Sequence, residues 1–205
     1  MQFFIDSNHL SPYAMSVFVA LREKGISFEK VLINLQAAEH LAATYAGVST
    51  TQRVPTINDN GFHLSESSAI CEYFEDKFPG LAIYPKSVEQ RAKAREIQAW
   101  LRSDLMAIRQ ERPTEVVFLD RSPEPLSKGG QRDALKLFHA VEQLLPVNQQ
   151  TLFAQWSIAD TDLALMLNRL VRAGDEVPKR LAQYALLQWQ RPSVQEWVSM
   201  PRSVK

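Results

Sequence analysis

Hydrophobic and polar positions change rhythm several times within the first eighty residues. Phe3-Phe4-Ile5 is a short apolar run bounded by polar residues and reads as a buried strand. Pro12 opens a stretch with Val17, Phe18 and Leu21 at helical spacing, and Gly25 supplies the stop. Phe28 to Ile33 alternates, which predicts a second strand. The segment from about Ala37 to Tyr45 predicts a short helix. Thr56-Ile57 and Phe62-His63-Leu64 flank Asp59-Asn60-Gly61, a strong hairpin turn signal. From Ser65 to Phe78 the positions of Ile70, Tyr73, Phe74 and Phe78 are helical again.

The remainder reads as helical throughout. One long helix is predicted from about Ser87 to Arg112, stopped by Pro113. Pro123 and Pro125 mark an irregular loop, and a helix from about Gly130 ends before Pro146. Ser157-Ile158-Ala159-Asp160 has the form of a shortened capping box ahead of the apolar positions Leu163, Leu165, Met166 and Leu167. Further helices precede and follow Pro192. The element order is βαβ, then ββα, then α only. The first two are how a thioredoxin-like domain is built, so the expected fold is a thioredoxin-like α/β domain followed by an all-α bundle. The breakers Pro79-Gly80 and Pro85 place the boundaries at 1–79, a linker at 80–86 and a helical domain at 87–205.

Composition narrows the partners. The 205 residues are 45% hydrophobic and 22% charged, enough to build a core. Lys plus Arg number 23 and so do Asp plus Glu, which argues against nucleic acid or anionic membrane as a partner, since both need a basic footprint. The zero is uneven: 6 basic against 9 acidic residues through Lys86, and 17 against 14 after it. The opening Met-Gln-Phe-Phe-Ile-Asp lacks the basic start of a signal peptide, and no stretch approaches the roughly 18 apolar residues of a membrane span. One cysteine, Cys71, excludes an internal disulfide and any cysteine-based zinc cluster. It sits on an inward-packing helix and reads as a buried, inert thiol. His9, His40, His63 and His139 have no ligand spacing, so no metal site is expected. A cytoplasmic location is the expectation.

Three short motifs carry chemistry. In Ser11-Pro12-Tyr13 a proline suited to the first helical position follows a residue able to cap. A well-capped helix explains the motif, and the same geometry lets a hydroxyl donate to an anion such as a thiolate. In Arg53-Val54-Pro55 the proline fits either a strand edge or a cis bond that turns the Val54 backbone outward for strand addition by an extended ligand. Ser65-Glu66-Ser67-Ser68-Ala69-Ile70 fits N-capping by serine, and equally a helix start whose N–H groups and Ser67 hydroxyl hold a carboxylate while Glu66 holds an ammonium. Arg95, Arg102 and Arg109 recur every seven residues and read as a solvated or dimer-facing stripe on the long helix.

Taken in this order, followed by a helical half with its Ser-Ile-Ala-Asp box, the three motifs resemble the cytosolic glutathione S-transferase family over essentially the whole chain. The runs from Gln98 to Met106, Glu111 to Thr114 and Ala159 to Met166 are similar to the bacterial YfcF-type subgroup. The resemblance implies glutathione as co-substrate. Ser11 would donate to its sulfur and favour the thiolate, Val54 would pair with the cysteinyl backbone, and Glu66 and Ser67 would hold the γ-glutamyl end. Arg53 and His40 sit where the family contacts the glycyl carboxylate. It further implies a small electrophile or organic hydroperoxide as second substrate, and a homodimer. Ser7, which directly follows the first strand, is a rival for the serine role. Redox relatives carry Cys where this chain has Ser11 and a second Cys where it has Ala14, so no protein dithiol can cycle here. A transferase fold retained as an interaction module, and a glutathione-dependent disulfide reductase, are the alternatives.

Overall fold

In the computed structural model, which describes residues 1–202, the opening apolar run becomes β1 (Gln2–Asp6), an inner strand of a four-stranded sheet. α1 (Pro12–Glu23) leads to β2 (Glu29–Ile33), which lies parallel to β1 from Gln2 beside Glu29 to Asp6 beside Ile33. After a 3-10 turn (Glu39–Leu41) and α2 (Ala43–Ala46), β3 (Thr56–Asp59) pairs antiparallel to β1 and to β4 (Phe62–Ser65), and α3 (Ser67–Lys77) follows. The sheet order is β2-β1-β3-β4. Asn60 and Gly61 make the hairpin turn with φ of +54° and +93°, the doubly left-handed backbone that a two-residue hairpin requires. Asp59 belongs to the strand, where its carboxylate accepts from Tyr73 Oη at 2.8 Å and Lys77 Nζ at 2.7 Å on α3.

β1 sends alternate side chains to the two sheet faces. Phe3 and Ile5 lie in the core on one face, where Phe28 meets both Phe3 and Phe18 edge to face at 5.6 and 5.8 Å. Phe4 packs on the other face with Ile33 and Tyr45, flanked by Val31, Val48 and Val54.

Contacts divide the chain into Met1–Ile83 with the segment from Ser193 on, and Tyr84–Pro192. α10 (Pro192–Val198) is helical and carries Trp197 into the first unit, fully buried with its ring 5.4 Å from Phe18, and Glu196 pairs with Arg22 at 2.8 Å.

The second unit contains α4 (Val88–Ser103), α5 (Met106–Glu111), α6 (Thr114–Phe118), α7 (Lys128–Leu144), α8 (Ile158–Val171) and α9 (Lys179–Trp189). α8 is its central helix, buried along nearly every face. At its start Asp160 reaches back to the Ser157 N–H at 2.9 Å and also accepts from Leu152 N–H and Tyr184 Oη. The long helix expected over 87–112 is broken at Asp104 and at Leu105, which has a left-handed φ of +58°. Asp104 offers the backbone a competing acceptor: its carboxylate takes Leu105 N–H at 2.8 Å and Trp100 Nε1 at 2.9 Å, and pairs with Lys136 on α7. The break splits the arginine stripe. Arg102 pairs with Asp162 on α8 at 3.0 Å, whereas Arg109 lies on α5 and donates to the Arg102 carbonyl at 2.7 Å.

Candidate functional site

Strand directions decide where the motifs meet. β1 and β2 run together, β3 runs against β1 and β4 against β3. The C-terminal ends of β1, β2 and β4 therefore share one end of the sheet with the N-terminal end of β3. From that end spring the loop to Ser11, the segment holding His40, the stretch Arg53-Val54-Pro55 before β3, and the Glu66-Ser67 start of α3. Residues spread over 56 sequence positions, from Ser11 to Ser67, are gathered by topology alone.

Ser11 is the N-cap of α1, with Pro12 opening the helix, and its Oγ accepts from Ala14 N–H at 3.2 Å. One lone pair is thus engaged while the hydroxyl proton remains to be donated, at the positive end of a twelve-residue helix. Ser7 caps no helix and is held by its own N–H on the Ile33 carbonyl at 2.9 Å. Asp6, only 4% exposed, shapes the intervening loop: its carboxylate accepts from Leu10 N–H at 2.6 Å and Ser11 N–H at 3.1 Å. Sequence reasoning missed this residue. Its signal is an acid directly after a fully apolar strand run, where burial is costly unless hydrogen bonds satisfy the charge.

The Val54–Pro55 bond is cis. Val54 neither donates nor accepts a backbone hydrogen bond among the described residues, so its N–H and C=O are open to an extended ligand. The preceding carbonyl, Arg53, is instead fixed from three sides, accepting from Tyr45 Oη at 2.9 Å, Thr56 Oγ1 at 2.9 Å and Ser49 Oγ at 3.4 Å. Burial pushes the Tyr45 phenol above its ordinary range, opposed by its bonds to Thr56 and Ser49, so Tyr45 stays a neutral donor. Tyr45 and Ser49 were not singled out by sequence, because their partners are a backbone carbonyl and each other's neighbours. Arg53 itself is exposed, and its guanidinium makes no ion pair among the described residues. His40 sits in the 3-10 turn, its carbonyl accepting from Gln52 Nε2 at 3.5 Å and its Nδ1 buried without a partner.

At α3, of the two readings of the Ser65–Ile70 motif, N-capping by serine is not what the structure has. Ser65 ends β4 opposite Thr56, and Glu66 occupies the cap position with φ +74°, a left-handed conformation costly for a residue with a Cβ. No side chain caps the helix, which leaves the N–H groups of Ser68 and Ala69 available to an acceptor. Ser67 is only 3% exposed, while Glu66 is exposed. Cys71 is fully buried on the same helix. The arrangement offers a hydroxyl at one helix start, an open backbone edge and the N–H groups of a second helix start. Such a set suits an extended anionic ligand that carries a thiol.

A cavity of about 360 Å³ opens at the opposite end of the sheet, beside Met1, Lys24, Asp59 and Phe78. Two of its charged side chains are already matched, Lys24 by Glu75 at 3.1 Å and Asp59 by Lys77 at 2.7 Å. No helix among the described residues is long and apolar enough to cross a membrane.

Comparison with known proteins gives the site a context. A Burkholderia protein, described as a glutathione transferase homolog with bound glutathione, is 40% identical, with a TM-score of 0.80 and coverage of 96% of this chain and 95% of that one. A maleylpyruvate isomerase of bacterial origin shares the fold at a TM-score of 0.76 and 20% identity, covering both chains fully. Glutathione S-transferase theta-1 of Mus musculus is 32% identical over 97 residues, covering 47% of this chain and 40% of its own length, and glutathione S-transferase T1 of Arabidopsis thaliana is 29% identical over 107 residues, covering 51% and 44%. The matched region thus spans less than half the length of these two relatives. The family model for the glutathione S-transferase N-terminal domain matches residues 7–82, and that for the C-terminal domain matches 87–203. With both halves matched in order, the chain belongs to the glutathione S-transferase family.

Proposed function

We propose that the protein is a serine-type glutathione transferase of the YfcF-like subgroup, in which Ser11 donates its proton to the sulfur of glutathione and holds it as the thiolate. The observation that carries this reading is the Ser11 hydroxyl itself. Its acceptor side is taken by Ala14 N–H, its proton is uncommitted, and it stands at a helix N-terminus. Val54 pairs through its open backbone with the cysteinyl part of the ligand, and the α3 start with Ser67 and Glu66 holds the γ-glutamyl carboxylate and ammonium. Arg53 and His40 face the glycyl carboxylate. A Burkholderia relative with glutathione bound supports this choice of ligand.

The chemistry follows from the thiolate. It attacks an electrophilic carbon, the S–C bond forms, and the leaving group departs with the bonding pair. With an organic hydroperoxide it attacks oxygen instead; a second glutathione then completes the disulfide, and alcohol and water are released. The protein supplies orientation and electrostatics, and each pKa unit by which the thiol is lowered is about 1.4 kcal/mol of differential stabilisation. The same reading carries cytoplasmic residence and a homodimer, the latter checked by sedimentation.

Ser11→Ala is expected to lose about a hundredfold in turnover, in line with removal of one preorganised donor, with glutathione affinity changed only a few-fold. Steady-state kinetics with a chromogenic electrophile, alongside calorimetry with glutathione, reads both. Full turnover in Ser11→Ala with an inactive Ser7→Ala would move the role to Ser7. No heat at millimolar glutathione would favour an interaction module, and turnover of a small mixed disulfide alone would favour the reductase.

A further inference from the structure

The loop that carries Ser11 is irregular, and besides its local bonds to Asp6 and Ile33 it is held by contacts from the far end of the chain. His9, two residues before Ser11, adopts a left-handed φ of +52° and is 4% exposed. Its ring meets Trp197 edge-on at 5.7 Å, and its Nδ1 lies 2.9 Å from the Pro201 carbonyl. A carbonyl can only accept, so Nδ1 carries the proton and His9 is the donor. Nε2 is buried without a partner. A leucine would fill the same space without that cost, so what the imidazole adds here is the bond to Pro201.

The C-terminal segment is itself held rigidly. Ser193 Oγ donates to Glu23 and Glu196 pairs with Arg22, fixing α10 to the last turn of α1. Arg202 then folds the segment after α10 by donating to the carbonyls of Trp197 at 3.0 Å, Val198 at 2.6 Å and Met200 at 2.9 Å. The Ser7–Ser11 loop is thereby tied to this segment through His9.

We propose that the C-terminal segment from Ser193 to Arg202 braces the loop that carries Ser11, and that His9 is a positioning residue that sets the Ser11 hydroxyl through its Nδ1–H bond to the Pro201 carbonyl. The proposal rests on the Ser11 reading given above. Releasing that bond lets the loop relax and misplaces the hydroxyl relative to the sulfur. Misplacement on the scale of an ångström is costly to the chemical step while leaving the binding contacts at Val54 and α3 in place.

Three variants of the full chain test it: His9→Leu, His9→Asn and a chain ending at Met200. In asparagine Nδ2 stands where Nδ1 stands in histidine, and asparagine tolerates a left-handed φ. His9→Leu and the shortened chain are expected to lose about tenfold in kcat, with the ultraviolet titration of bound glutathione showing its thiol pKa raised and its Kd within about twofold of the parent. His9→Asn is expected to restore both kcat and the thiolate titration. Hydrogen exchange of peptides covering Ser7 to Ala14 should quicken in the first two and not in the third. An unchanged thiolate titration in a folded His9→Leu overturns the proposal, as does equal loss of kcat and affinity in His9→Leu and His9→Asn. Should His9→Leu not fold, the shortened chain decides on the same two readings. Ser11→Ala separates the layers: if it is inactive while His9→Leu titrates normally, only this proposal fails, and if it is fully active the Ser11 reading fails and takes this one with it.

Discussion

Residue-scale chemistry turns on how many hydrogen bonds a hydroxyl has left to give. Ser11 spends an acceptor lone pair on Ala14 N–H, and its proton remains. A thiol at the same position would behave differently. A cysteine at a helix N-terminus is shifted toward thiolate, and it exchanges with disulfides. Ser11→Cys is accordingly expected to form a mixed disulfide when treated with oxidised glutathione, visible by mass spectrometry as one added glutathionyl group. The parent, whose sole cysteine is fully buried, should gain none. Asp6 and Tyr45 work at this scale too. Neither touches the ligand in our reading; Asp6 spends its carboxylate on the Leu10 and Ser11 N–H groups, and Tyr45 spends its phenol on the Arg53 carbonyl.

Among the elements, the break between α4 and α5 is where a side chain overrides a helical pattern. The hydrogen bonds from Lys136, Leu105 N–H and Trp100 pull the Asp104 carboxyl down to about 2. A carboxyl lowered by folding contributes stability above its unfolded value near 3.9, and that contribution is lost as pH falls toward 2. The parent should therefore lose stability more steeply than Asp104→Asn between about pH 4 and 2. Denaturant melts at stepped pH would show it, and parallel curves for the two proteins would count against the assigned role. The periodicity of 87–112 was legible and its interruption was not. The competing bonds to Asp104 include one from Lys136, 32 positions away on α7. Elsewhere local signals sufficed: Ser11-Pro12 started α1, Asn60-Gly61 turned the hairpin, and Asp160 reached back to Ser157.

For the whole molecule, the return of α10 to the first unit matters most. Trp197 fills a site against Phe18, so a fragment of residues 1–83 would leave that apolar surface open to water. Full burial of an aromatic of this size is worth about 2–3 kcal/mol, a large share of the margin of a small domain. The fragment is expected to bind a hydrophobic dye and to melt well below the full chain. Addition of a synthetic peptide spanning 192–202 should reduce the dye signal. A fragment as stable as the intact protein would show that α10 contributes nothing to that unit.

The amino-acid sequence by itself determined the order of elements, the three motifs and the absence of cysteine at positions 11 and 14. Each of these is written within a few neighbouring residues, as a period, a cap, a proline or a missing cysteine. Only the tertiary structure decided that the motifs share one end of the sheet, that Asp6 holds the Ser11 loop, that Glu66 takes the cap position, and that His9 reaches Pro201, 192 positions away. The reason is physical. Local conformation is chosen by nearby sterics and hydrogen bonds, whereas a buried acid, imidazole or indole takes whichever partner the completed packing brings beside it.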